Sequence, residues 1–167
     1  MARFSVWLYE KLYHRTAPEY IHSYSVGHLA AKPIRKWLTN TVAANCPFNS
    51  LRIGIYRLCG FRIGKEVSIG MRCYLDDHCT HLIEIGDNVT ISYGVYFACH
   101  GMNQGHTPII IKEGAYLGMR ASVVSGKKGV TIGKNAIVGA CSLVLKDIPD
   151  GATAVGIPCR ITTDLGE

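Results

Sequence analysis

The sequence predicts a mainly β chain, a left-handed parallel β-helix of about four to five coils preceded by an N-terminal helical segment. Three observations predict it. From residue 63 to residue 149 an apolar residue recurs every six positions, a period that neither a helix (3.6) nor a simple strand (2) produces. Small and turn-forming residues recur at fixed places inside each six-residue unit. The rhythm is interrupted only after every third unit.

The predicted elements divide the chain into a helical segment (1–60), a β-helix domain (61–161) and a short tail (162–167). Phe4, Trp7, Leu8, Lys11, Leu12 and Arg15 read as one amphipathic helix that ends before Ala17 and Pro18. A weaker helical pattern (Ile34, Trp37, Leu38, Val42) is one that Pro33 opens, since proline suits a first helical turn. A third helix is expected over 51–59, with Ser50 as its N-cap, Gly60 as its stop, and Arg52 and Arg57 facing water or an acidic neighbour.

The twelve unit-opening residues are Ile63, Ile69, Leu75; Ile85, Ile91, Phe97; Ile111, Leu117, Val123; and Ile132, Val138, Val144. Three units make one triangular coil, with the first and fifth residues of each unit facing inward and coils stacking about 4.8 Å apart. Asn88, Gly94, Gly114, Gly126 and Asn135 fill fourth positions, where a corner requires positive φ. Pro149, Gly151, Gly156 and Pro158 are expected to end the coil and turn the chain away.

First positions are six apart within a triple, but ten apart from Leu75 to Ile85, fourteen from Phe97 to Ile111 and nine from Val123 to Ile132. All three insertions therefore leave the prism at one edge. His78 and His100 share the fourth position of consecutive third units and should stand one above the other. The eight-residue insertion, a loop extruded near 101–110, carries His106 over the same ridge, near His81, Asp76 and Asp77. A histidine whose ordinary pKa is about 6.5 suits proton abstraction from a hydroxyl. Cys99 adjoins His100, but neighbours along a strand point to opposite faces, so Cys99 is expected inside as packing.

The formal charge is +6, and the excess lies in the first 62 residues, with nine Lys/Arg against Glu10 and Glu19. It lacks a long basic run, so no nucleic-acid partner is expected; peripheral membrane contact through residues 1–60 stays open. Seven cysteines without a CxxC pair argue against a disulfide framework and a cysteine zinc site. No stretch is apolar enough to span a membrane and no signal-peptide core opens the chain, so a cytoplasmic location is expected.

Residues 60–161, through the repeat, the segment Phe97 to Gly101 and the closing segments 138–149 and 154–161, resemble the hexapeptide-repeat acyltransferases. Within that family the similarity is to the maltose/galactoside O-acetyltransferase and serine acetyltransferase branches. The resemblance implies a homotrimer with acetyl-CoA along the prism and active sites between subunits, acting on a sugar or glycan hydroxyl. It implies His100 as general base, with His78 second and His106 third, and Asp76 or Asp77 in contact with substrate. Asn103 is a further candidate donor to the acceptor. On the donor side it implies Met119 and Ala140 along pantetheine, Leu145 and Lys146 at the adenine, and Arg160 at a phosphate. Lys127 and Lys128 face the same anion or water.

Three alternatives stay open. Leu75, Asp76, Asp77 and His78, with His106, Thr107 and Pro108 downstream, resemble the serine acetyltransferase motif with one extra Asp. A γ-type carbonic anhydrase would bind a metal through His78, His81, His100 or His106, although the reading above expects no metal. A non-catalytic trimeric scaffold is the third.

Overall fold

The structure, a computed structural model, describes residues 6, 7, 10, 11, 14, 16, 26–100 and 106–162, without the side chains of 26–30. The chain forms two compact units, Met1–Trp37 and Leu38–Glu167. Val6, Trp7, Glu10 and Lys11 are helical, and Lys11 Nζ lies 4.8 Å from the Trp7 ring centroid. Phe4, Leu8, Leu12, Arg15 and the tail beyond Thr162 lie outside the described residues. The next helix, Val26–Trp37, holds Pro33 in its interior instead of opening on it. The missing N–H there leaves one carbonyl without its helical donor.

The second unit begins at Leu38, so the compact body around the prism starts well before residue 61. A π-helical turn, Leu38–Ala43, leads to the helix Asn49–Leu58. Ser50 lies inside that helix and Phe48 is its N-cap, without a side-chain capping bond. Asn49 instead bridges to the first coil: its amide donates to Val67 O (3.0 Å) and accepts from Ile69 N (3.0 Å). Gly60, at φ +98°, ends the helix as expected. Arg52 faces neither water nor an acid; it is buried and donates to Cys46 O. Tyr56 is fully buried against the Phe61 ring edge and donates to Cys73 O, which pins the helix over the open end of the coil.

From Arg62 the chain is a left-handed β-helix of about four turns. Its strands are β1 (Arg62–Ile63), β2 (Ser68–Ile69), β3 (Ile83–Ile85), β4 (Thr90–Ile91), β5 (Tyr96–Ala98), β6 (Ile109–Ile111), β7 (Tyr116–Leu117), β8 (Ser122–Val124), β9 (Val130–Ile132), β10 (Ile137–Val138) and β11 (Leu143–Val144). One face stacks β1, β3, β6 and β9 with Ile63, Ile85, Ile111 and Ile132 in register. The second stacks β2, β4, β7 and β10 with Ile69, Ile91, Leu117 and Val138 in register. The third stacks β5, β8 and β11 through Phe97, Val123 and Val144, extended by a bridge from Tyr74 to Tyr96. Every pairing within these faces is parallel.

The unit-opening residues are the core: all are buried except Ile63, which is partly covered at the first coil. Each such burial contributes about 1.5–3 kcal/mol. A last partial coil adds Ile148 and Ala154, and the antiparallel pair β12 (Thr153–Gly156) and β13 (Cys159–Thr162) covers the end of the second face.

The corners depart from expectation in two ways. Glu66, Arg72, Arg120 and Cys141 adopt the same positive φ as Asn88, Gly94, Gly114 and Asn135, because the backbone ladder dictates the corner whatever the side chain. Gly126 does not, since the third corner is where the chain leaves the prism instead of turning tightly. Among the described residues no helix is long and apolar enough to cross a membrane.

Candidate active site

The third corner carries His78 and His100 in consecutive coils, as the insertion count requires. Their ring centroids are 5.0 Å apart, and His106 follows at 6.1 Å from His100. β5 sets the direction: Tyr96, Ala98 and His100 project outward while Phe97 and Cys99 project into the core, where both are fully buried. Thr107 closes the base of the loop. Its N–H donates to Cys99 O (3.1 Å), and its hydroxyl donates to Gly126 O (2.6 Å) and lies 2.9 Å from Ser125 Oγ. Nothing in the sequence pattern marked Thr107 and Ser125 as this anchor. Asn103 lies outside the described residues.

Asp76 is the centre of the arrangement. Expected to contact substrate, it is instead fully buried beneath the imidazole, with its oxygens engaged by the protein. Oδ2 accepts from Cys99 N (2.8 Å) and lies 2.5 Å from His100 Nδ1; Oδ1 accepts from His78 N (3.1 Å). A carboxylate accepts and does not donate, so Nδ1 carries the proton and Nε2 keeps its lone pair. The His100 side chain is 40% exposed, which leaves that lone pair open to a reactant. Asp77 is likewise buried, accepting from Asn40 Nδ2 (3.1 Å) and the Tyr74 hydroxyl (3.2 Å), with His78 Nε2 at 4.0 Å. The second acid therefore braces the π-helical turn and Tyr74 and is closed to substrate. His81 is exposed in the 3-10 turn Thr80–Leu82.

Burial pushes the Cys99 thiol up to about 12, with Asp76 adding to the effect. It is protonated at neutral pH, so a Cys/His nucleophilic pair is not formed here. Asp76, Cys79 and His100 place potential ligand atoms within 4.8 Å of one another, the one such trio among the described residues. Its donor set fits a metal poorly. The 2.5 Å separation of His100 and Asp76 is that of a hydrogen bond, whereas two ligands about 2.0 Å from a tetrahedral ion stand farther apart. Burial, then Asp76 and Asp77, also push the Cys79 thiol up to about 11.

The residues singled out for a CoA-type donor fall into two groups. Leu145, Lys146 and Arg160 line one cleft of about 450 Å³ between the third corner and β13, with Pro158 and Ile161. Met119 and Ala140 are exposed on the second corner, stacked through Cys141 N donating to Met119 O (2.8 Å). Within one chain the two groups occupy opposite edges of the third face.

Residues 60–97 and 108–145 match the hexapeptide repeat of succinyl-transferase. The chain is a hexapeptide-repeat protein. Its repeat region is similar to curated proteins of both branches named above. It is 38% identical over 112 residues to a serine acetyltransferase of Bacillus pumilus, covering 65% of this chain and 50% of that protein. It is 31% identical over 121 residues to the galactoside O-acetyltransferase of Escherichia coli, covering 64% of this chain and 58% of that one. The match therefore spans about half the length of these relatives. A maltose O-acetyltransferase from Clostridium difficile superposes with a TM-score of 0.58 at 26% identity, covering 83% of this hexapeptide-repeat chain and 88% of that one.

Proposed function

We propose that the protein is an O-acetyltransferase that moves an acetyl group from acetyl-CoA to a hydroxyl of a sugar or glycan, with His100 as general base. The observation that carries this reading is the Asp76–His100 pair, which holds one imidazole nitrogen of a side chain that is 40% exposed and leaves the other for a reactant. The acceptor hydroxyl gives its proton to Nε2 as its oxygen attacks the thioester carbonyl. The tetrahedral oxyanion then collapses, the C–S bond breaks, and the departing thiolate recovers the proton from His100.

Lys146 and Arg160 in their cleft supply two exposed cations for the donor's phosphates, with Leu145 as an apolar wall for the adenine. Met119 and Ala140 on the opposite edge support a site completed by two subunits, and hence a homotrimer. Serine acetylation is the second reading, favoured by the similarity to the Bacillus pumilus protein. An acceptor screen with acetyl-CoA, followed by free thiol release, tests both. Sugar-dependent release supports the first reading, serine-dependent release the second, and release with neither removes both.

A further inference from the structure

We propose that Arg72 and Arg120 form an anion-binding edge that seats the acidic groups of an extended glycan acceptor; as a statement about the acceptor it rests on the transferase reading. The second corner of the prism is one hydrogen-bonded ladder. Gly94 N donates to Met71 O (3.0 Å) and Arg120 N to Tyr93 O (2.9 Å). Arg72, Gly94 and Arg120 therefore stand in three successive coils, and the two arginine Cα atoms lie two coils, about 10 Å, apart.

Each side chain touches the coil between them. Arg72 lays its guanidinium carbon 6.0 Å from the Tyr93 ring centroid, and Arg120 packs across Gly94, where a Cβ would meet its Cγ at 3.4 Å. Among the described residues neither arginine has an ion-pair partner, whereas Lys112 and Lys134 elsewhere on the prism are paired with Asp150 and Glu113. Both arginines hold the corner conformation, φ +56°, as Glu66 and Cys141 do at +52° and +57°, and Asn accepts the same geometry at Asn88 and Asn135.

The face between this edge and His100 suits a sugar chain. Tyr96 is 44% exposed and stacks on Tyr74 with centroids 4.6 Å apart and planes inclined by 14°. Tyr96, Ala98 and His100 follow one another along the outside of β5. His100 lies six positions beyond Gly94, about 20 Å at ~3.3 Å per residue, a span a monosaccharide does not bridge. The shared chemistry is a carboxylate or phosphate held by guanidinium forks, and the donor's own phosphates are the competing source.

The test is calorimetric binding to the full chain of a hexuronic acid hexasaccharide, a neutral hexasaccharide, the monomeric uronate and acetyl-CoA. We expect the acidic hexamer to bind best and to weaken with salt. Arg72→Asn and Arg120→Asn should each weaken it about tenfold, Arg→Lys less, with acetyl-CoA affinity unchanged. Asn suits φ +56°, so the melting temperature should not fall; a purely structural role for the arginines would lower it. Equal binding of acidic and neutral hexamers, or an unaltered Arg72→Asn/Arg120→Asn double variant, overturns the proposal. So does a double variant that loses acetyl-CoA and keeps the hexamer, because the anion is then the donor's. Arginine-dependent hexamer binding by a protein that does not bind acetyl-CoA supports the edge and removes the transferase reading.

Discussion

His100 Nδ1 lies 2.5 Å from Oδ2 of Asp76, a carboxylate with no exposed surface whose two oxygens also accept from the backbone of Cys99 and His78. That pairing sets the tautomer and the direction of the imidazole. Asp76→Asn keeps the volume and removes the charge. We expect kcat to fall roughly 10²-fold with the KM for acetyl-CoA within about twofold, because the residue positions the base and touches no donor atom. Steady-state kinetics of the variant checks this, and an unaltered kcat would show that Asp76 serves the fold alone.

Lys146 and Arg160 share a cleft with Leu145, so their removal should be felt in donor binding. Lys146→Ala and Arg160→Ala are each expected to raise the KM for acetyl-CoA about tenfold while kcat holds, the signature of lost uniform binding. The comparison is made at saturating acceptor. A fall in kcat at constant KM would move these cations out of the donor site.

Alkali should destabilise the protein through its buried thiols. Burial raises Cys79 to about 11 and Cys99 to about 12, above the ordinary thiol value of 9.0. Between those values the unfolded chain has released protons that the native state retains. Stability is therefore complete below pH 9 and is lost as pH rises towards 11–12. Thermal midpoints should hold up to pH 8 and fall progressively at pH 9, 10 and 11, less steeply in Cys99→Ala whatever its starting midpoint.

Two glycines make opposite predictions about stability. A Cβ on Gly118 would lie 2.5 Å from Ala140 N and 2.8 Å from Gly139 C, backbone atoms of the next coil that cannot swing aside. Gly118→Ala should cost about 1–3 kcal/mol in urea unfolding. A Cβ on Gly54, in the helix Asn49–Leu58, meets nothing within 4 Å, so Gly54→Ala should gain about 0.5–1 kcal/mol.

A homotrimer should sediment with three times the 18.3 kDa chain mass. Chains that sediment singly while turning over acetyl-CoA would show that the two edges carrying Met119 and Lys146 need no second subunit.

The prism was legible because its signal is local. Period six alone put Ile63, Ile85, Ile111 and Ile132 in one ladder, and counting the insertions stacked His78 on His100. The role of Asp76 was not legible. Its bond to His100 crosses 24 residues, and its burial depends on the loop that follows it as well as on its place in the unit. Asp77 is closed off by Asn40, 37 residues away in a turn that no repeat predicts.

The most direct test is acetyl-CoA thioester cleavage by purified His100→Ala protein, followed as free thiol in the presence of the best acceptor from the screen. We expect turnover to drop by roughly 10²–10⁴-fold with acetyl-CoA binding retained. Undiminished turnover would contradict His100 as the base and pass the role to His78 or His106.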